Sequence, residues 1–103
     1  MDTLVNNYDS LEQLIYEEDI RIKEVDAHPD MDMLLIILNK GSVLQEKLSN
    51  YPWLRNTTKE TLAKYELIGN GVGIHWPELD EDLSLKGFLR DTIRNHVTGG
   101  KNI

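Results

Sequence analysis

The densest chemistry in the chain lies between Gly69 and Leu89, which reads GNGVGIHWPELDEDLSLKGFL. His75 and Glu78 stand three apart and are followed by Asp80 and Asp82. Imidazole and carboxylate suit zinc or manganese, and a histidine beside carboxylates can act as a general base. A metal-dependent enzyme built on His75, Glu78 and Asp80 is therefore one reading. Against it, alternation along an extended strand turns Trp76 away from His75, and Pro77 redirects the chain. Spacing alone does not make the three side chains converge, and a solvated or sheet-edge histidine is the plainer reading.

Other local patterns dissolve in the same way. Asp80-x-Asp82-x-Ser84 looks like the start of a calcium loop, but the sixth position holds Leu85 where glycine is needed, and the twelfth holds Asp91 where a bidentate glutamate is needed. Gly69-x-Gly71-x-Gly73 is followed by a strand-like run, VGIHW, instead of the helix that a pyrophosphate site requires. A hairpin turn accounts for these glycines better, with a bulge as the lesser alternative. The histidines are His28, His75 and His96, and no serine sits in a recognisable nucleophile elbow. The expectation is no catalytic constellation, no bound metal and no cofactor. Trp53 and Trp76, with Tyr51 and Pro77, can form either an aromatic contact surface or part of the core, and periodicity does not decide between them.

The elements that would position these residues follow from periodicity. Ser10 can cap a short helix with Gln13 completing a capping box, and Leu11, Leu14 and Ile15 share one face. Ile20 to Ala27 reads as a strand, closed by His28-Pro29-Asp30. Met33 to Leu38 is the most apolar segment and reads as a central strand buried on both faces. Asn39-Lys40-Gly41 forms a turn into a partner strand, Ser42 to Leu48. Asn50 to Asn56 is irregular. Thr57 or Thr58 can cap a helix over Lys59 to Tyr65. Glu66 to Ile68 and Val72 to Trp76 form a later hairpin about Gly69-Asn70-Gly71. The carboxylates Asp80, Glu81 and Asp82 then precede a helix capped by Asp82 or Ser84, along which Leu85, Phe88, Leu89, Ile93 and Val97 recur at helical spacing. Gly99-Gly100 would stop it.

The fold class is α+β: a small antiparallel sheet, a meander plus the later hairpin, with two or three packed helices including an amphipathic C-terminal one. The expected organisation is an N-terminal extension with a short helix at 1–19, a single domain at 20–98 and a tail at 99–103.

Composition narrows the function classes. With 103 residues, 40% hydrophobic and 28% charged, the chain suits one small domain with a modest core. Its longest apolar run, Met33 to Leu38, is far short of the roughly 18 residues that suggest a membrane span. No secretory signal is recognisable, and the absence of cysteine fits a reducing, cytoplasmic setting. The formal net charge of −7 disfavours direct nucleic-acid binding, which draws on Lys and Arg, and would suit a small basic protein partner.

The chain resembles the bacterial family called domain of unknown function 2442. The features that carry the resemblance are an early strand (Ile20–Val25), an apolar strand and turn (Leu34–Gly41), a charged strand (Ser42–Leu48) and Trp76-Pro77 followed by Asp80, Asp82 and Leu83. The resemblance implies a compact α+β domain with no catalytic residues to carry over. Relatives are often encoded beside a small protein of domain of unknown function 4160, which implies an antitoxin-like role. Some relatives add a helix-turn-helix that is not recognisable here. The leading expectation is a non-enzymatic interaction or regulatory domain whose contact residues are Trp76, Pro77, Glu78, Asp80 and Asp82. A structural homodimer is a further reading.

Overall fold

The structure, a computed structural model, describes residues 9–98. The beginning of the expected N-terminal extension, the Gly99-Gly100 stop and the tail at 99–103 lie outside these residues. Helix α1 (Ser10–Glu17) is capped by Asp9 instead of Ser10. The Asp9 carboxylate accepts from the Glu12 N–H at 2.9 Å, and the Glu12 carboxylate accepts from the Asp9 N–H at 3.2 Å. Both carboxylates also hold Lys86, at 2.6 and 3.4 Å, so the charged pair captures the capping box one residue upstream of the uncharged alternative. The single buried residue of α1, Ile15, joins the same core as the rest of the chain.

Strands β1 (Ile22–His28), β2 (Met33–Leu38) and β3 (Val43–Glu46) form an antiparallel sheet with β2 in the middle. A bulge between Ile22 and Glu24 resets the alternation, so the buried positions are Ile22, Val25 and Ala27. The strand starts two residues downstream of the expected Ile20, and the bulge defeats a strict period of two. On β2, Leu34, Ile36 and Leu38 are buried while the alternate residues are only half-covered, so one face of the strand is fully enclosed rather than both.

The connection that follows contains a short 3-10 turn at Leu48–Asn50 and two four-residue helices, α2 (Pro52–Arg55) and α3 (Lys59–Leu62). Thr58 caps α3 by accepting from the Thr61 N–H. Tyr65 lies beyond the helix, and its hydroxyl accepts from the Val25 N–H at 3.0 Å, tying this segment to β1.

A second antiparallel sheet is built from β4 (Glu66–Ile68), β5 (Gly73–Trp76) and β6 (Glu81–Ser84), again with the middle strand central. Of the two expected caps of the last helix, Asp82 and Ser84, Asp82 lies within strand β6. The acidic residues pair along β5, with His75 opposite Asp82 and Trp76 opposite Glu81. Helix α4 (Leu85–Val97) begins only at Ser84, whose hydroxyl accepts from the Gly87 N–H at 3.0 Å. Its first turn holds no acidic residue, while Arg94 and His96 occupy the last. Leu85 and Phe88 are fully buried, whereas Ile93 and Val97 are exposed, so the apolar stripe is covered near its N-terminal end alone.

The core spans both sheets and includes Ile22, Leu34, Ile36, Ile74, Trp76, Leu85 and Phe88. The Trp76 indole N–H donates to the Leu62 carbonyl at 3.0 Å, which satisfies the one polar atom of a fully enclosed ring. The turn after β4 joins the two halves. The Gly71 carbonyl accepts from the Ile22 N–H at 2.8 Å, and the Val72 carbonyl accepts from the Leu85 N–H at 2.9 Å. Gly71 has a φ of +105°, and a Cβ there would lie 2.5 Å from the Ile22 carbonyl oxygen. Gly41 also has positive φ, +100°, but with open space around it. Gly41→Ala should therefore cost only backbone strain, about 1–3 kcal/mol. Gly71→Ala should cost clearly more and loosen both sheets together, as read by chemical denaturation of the two variants side by side.

Candidate functional site

Ile74 and Trp76 of β5 face the core, which turns His75 to the outer face of the second sheet. Register places Glu66 of β4 on one side of His75 and Asp82 of β6 on the other. Directly paired residues share a face, so three titratable side chains stand in a row across the sheet. His75 Nδ1 is hydrogen-bonded to the Asp82 carboxylate. That bond raises the histidine pKa above its ordinary value of 6.5, opposed by partial desolvation and aided by the charges of Asp82, Glu66 and Asp80.

The other residues expected at the site are dispersed. Trp76 is fully buried, so it is a core residue and not a partner contact; the hydrogen bond of its ring nitrogen to Leu62 is part of what holds it inside. Trp53, in contrast, is 67% exposed on α2. Pro77, Glu78 and Asp80 occupy the exposed turn between β5 and β6. Glu78 is drawn to Lys64, 3.2 Å away, and Asp80 adopts a left-handed φ of 51° that aspartate tolerates. His75, Glu78 and Asp80 are thus not gathered around a common point. Among the described residues no three His, Asp or Glu side chains are placed to hold a metal ion.

A second cluster was not singled out in the sequence. Glu46, at the end of β3, is only 6% exposed. The Tyr51 hydroxyl donates to its Oε1 at 3.1 Å. Burial raises the pKa of Glu46 most; the tyrosine bond lowers it, and the negative charge of Asp91 raises it further. Burial and the Glu46 charge push the Tyr51 phenol well up in turn, so it stays protonated and donates. Tyr51 also meets Phe88 edge-on, with ring centroids 6.2 Å apart. A polar cavity of about 330 Å³ opens here, lined by Glu46, Asn50, Tyr51, Asp91, Arg94 and Asn95. Tyr51 and Asp91 also line a larger, mainly apolar groove of about 450 Å³ that runs past Phe88, Gly87 and Gly73 to Ile68 and Asp82. The signal that could have found Glu46 is its phase: Leu44, Glu46 and Leu48 alternate on the buried side of one segment.

This arrangement of two three-stranded sheets and a C-terminal helix can be set beside known proteins. Residues 22–94 match the family described as protein of unknown function (DUF2442). The chain belongs to this family. The matched DUF2442 region runs from the first residue of β1 into the last turn of α4 and takes in both sheets. A crystal structure of a protein of unknown function from Rhodospirillum rubrum ATCC 11170 is similar at a TM-score of 0.60 and 25% identity, covering 70% of this chain and 87% of that one. The solution structure of an uncharacterized protein from Chromobacterium violaceum is similar at a TM-score of 0.63 and 23% identity, covering 87% and 85%. These likenesses show the DUF2442 chain to share their fold. No curated protein matches it.

Two pH dependences follow. His75 binds its proton more tightly folded than unfolded, so its pairing stabilises the protein below the ordinary histidine range, and this contribution is lost as pH rises through the raised value. A histidine titration by NMR should place His75 above 6.5, and Asp82→Asn should bring it back down. Glu46 also binds its proton more tightly when folded, but here ionisation opposes folding. Stability should fall as pH rises from 4.5 through the raised value. Glu46→Gln keeps an acceptor for Tyr51 and removes the charge. Its melting temperature should exceed wild type at pH 7, and the gap should close towards pH 4.

Proposed function

We propose that this chain is a non-enzymatic interaction domain of the bacterial cytoplasm, antitoxin-like in role, that silences a small basic protein partner by covering its working surface. The observation that carries this reading is the acidic outer face of the second sheet. Glu66 on β4, Asp82 on β6, and Glu78 and Asp80 in the turn between β5 and β6 are all exposed. Lys64 offsets only Glu78. The formal charge of −7 adds a long-range field of the same sign, which speeds encounter with a basic partner and excludes acidic ones. The charge is equally unsuited to a nucleic-acid backbone. The family resemblance points the same way, through the small protein often encoded beside its members.

Pro77 at the turn limits the backbone freedom that binding would have to remove, so the carboxylates are held ready. In place of the buried Trp76, the half-buried Tyr51 lines the groove that also reaches Asp82. Co-expression with the product of the neighbouring gene should give a complex that survives moderate salt and weakens as salt rises. Reversing two charges, Glu78→Lys with Asp80→Lys, should weaken it tenfold or more, about 1.4 kcal/mol. A failure to co-purify, together with no rescue of growth on co-expression, sinks the reading.

A further inference from the structure

The buried carboxylate of Glu46 has no role in the acidic outer face, and it costs stability where it stands. Leu44, the other inward residue of β3, is apolar, and an apolar side chain at Glu46 would complete the core. Among the described residues no lysine, arginine or histidine pairs with Glu46; Arg94 reaches Asp91 at 3.1 Å instead. The tyrosine hydroxyl occupies Oε1, and the rest of the carboxylate faces the polar cavity.

The groove beside it passes two glycines. Gly73, itself buried, lies in the middle strand of the second sheet between Ile68 and Ser84, its register partners, and adds no side chain to the outer face. Gly87 does the same on the first turn of α4, above the Ser84 hydroxyl. Between them the accessible walls are the side chains of Ile68 and Val72, with the fully buried Phe88 beside them. Each end carries a carboxylate: Asp82 at one, and Asp91 with Glu46 at the other. An apolar trough flanked by negative charge is complementary to an extended segment that is apolar and basic by turns. Arginine and lysine fit best, since their long stems can lie along apolar walls while the cation reaches a carboxylate.

We propose that the groove between α4 and the outer face of the second sheet takes a basic–apolar peptide segment of the partner, with one cation seated on Glu46 and Asp91 and an apolar side chain on Ile68 and Val72. This deepens the interaction reading above and rests on it for the partner, while its own chemistry is testable without one. The cation supplies the charge that Glu46 lacks, and Arg94, which is largely exposed, is free to turn outward as it does so. The apolar side chain covers the exposed Ile68 and the half-buried Val72.

The probe is a hexapeptide amide of alternating arginine and leucine, titrated into the isotope-labelled full chain while backbone amide shifts and affinity are followed. Controls are an arginine–serine hexapeptide and a glutamate–leucine hexapeptide. Shifts should concentrate at Gly73, Leu83, Gly87, Phe88 and Asp91, and neither control should reach a tenth of the affinity. Glu46→Gln, which keeps the tyrosine bond and should fold well, and Asp91→Asn should each weaken binding at least tenfold. Glu60→Gln, the loss of the same charge from α3, should not. Equal binding of the arginine–serine peptide, shifts confined to other surfaces, or no difference between Glu46→Gln and Glu60→Gln overturns the groove. If the neighbouring gene product binds wild type and Glu46→Gln equally, the groove inference falls and the interaction reading stands. If the hexapeptide binds in the groove and that product does not bind at all, the groove stands and the assigned partner falls.

Discussion

Two consecutive carbonyls, those of Gly71 and Val72, hold the architecture together. One accepts from Ile22 as β1 begins and the other from Leu85 as α4 begins, so a single turn fixes the first sheet, the second sheet and the last helix to one another. The sheets share no strand. Without this junction their relative placement would rest on the Val25–Tyr65 hydrogen bond and on side-chain packing, which is strong but weakly directional. The hydrogen bonds supply the direction, and the residues that anchor them, Ile22 and Leu85, are among the most deeply buried in the core. The close backbone approach is possible only because position 71 lacks a Cβ and tolerates positive φ. A glycine that reads locally as part of a hairpin turn is thus a tertiary contact.

That distinction explains which parts of the fold were legible in sequence. The apolar run marks β2 and the Gly69-Asn70-Gly71 turn marks the later hairpin because their neighbours are close along the chain, and Thr58 and Ser84 cap helices as their side chains allow. The bulge in β1 was invisible, because an extra residue in a strand changes which side chains are buried without changing their types. Strand β6 was missed for another reason. Glu81-Asp82-Leu83-Ser84 has little strand propensity of its own, and it is extended because β5 offers a ladder to pair with. The same residues before a helix start look like acidic N-terminal capping. Here tertiary pairing outweighs local preference.

The candidate site was half legible for related reasons. The carboxylates beside His75 were visible as a cluster, and the register gathers Asp82 and Glu66 around the ring, but it sends Glu78 to Lys64. Trp76 could have faced either way, since a proline beside it removes the periodicity that would decide; the core claimed it because the Leu62 carbonyl lies within reach of the indole. Glu46 was overlooked although its phase with Leu44 and Leu48 was in view. A glutamate in a charged strand is ordinarily assigned to solvent, and only the packing of Tyr51 and α4 over β3 makes it costly.

The acidic residues divide by what they do in the fold. Asp9 and Glu12 cap α1 and hold Lys86; Asp32 accepts from the Ser49 N–H and hydroxyl; Asp26 pairs with His28. These interactions account for their charge within the fold. Glu46, Asp82 and Asp91 differ in that all three border the groove or the cavity joined to it. Asp82 also belongs to the outer acidic face, so the two surfaces meet at one carboxylate whose charge His75 governs. With His75 protonated, Asp82 is neutralised by its neighbour; with His75 neutral, its charge is released to a ligand while the pair ceases to stabilise the sheet. Stability and availability of this charge therefore move in opposite directions with pH. At the other end of the groove the same trade appears in permanent form, because Glu46 is kept ionisable at a position where an apolar residue would pack better. Both ends keep negative charge beside an apolar trough, Asp82 in a pair that stabilises the sheet while His75 is protonated and Glu46 where burial opposes its ionisation, and this is the arrangement that a basic, apolar ligand requires.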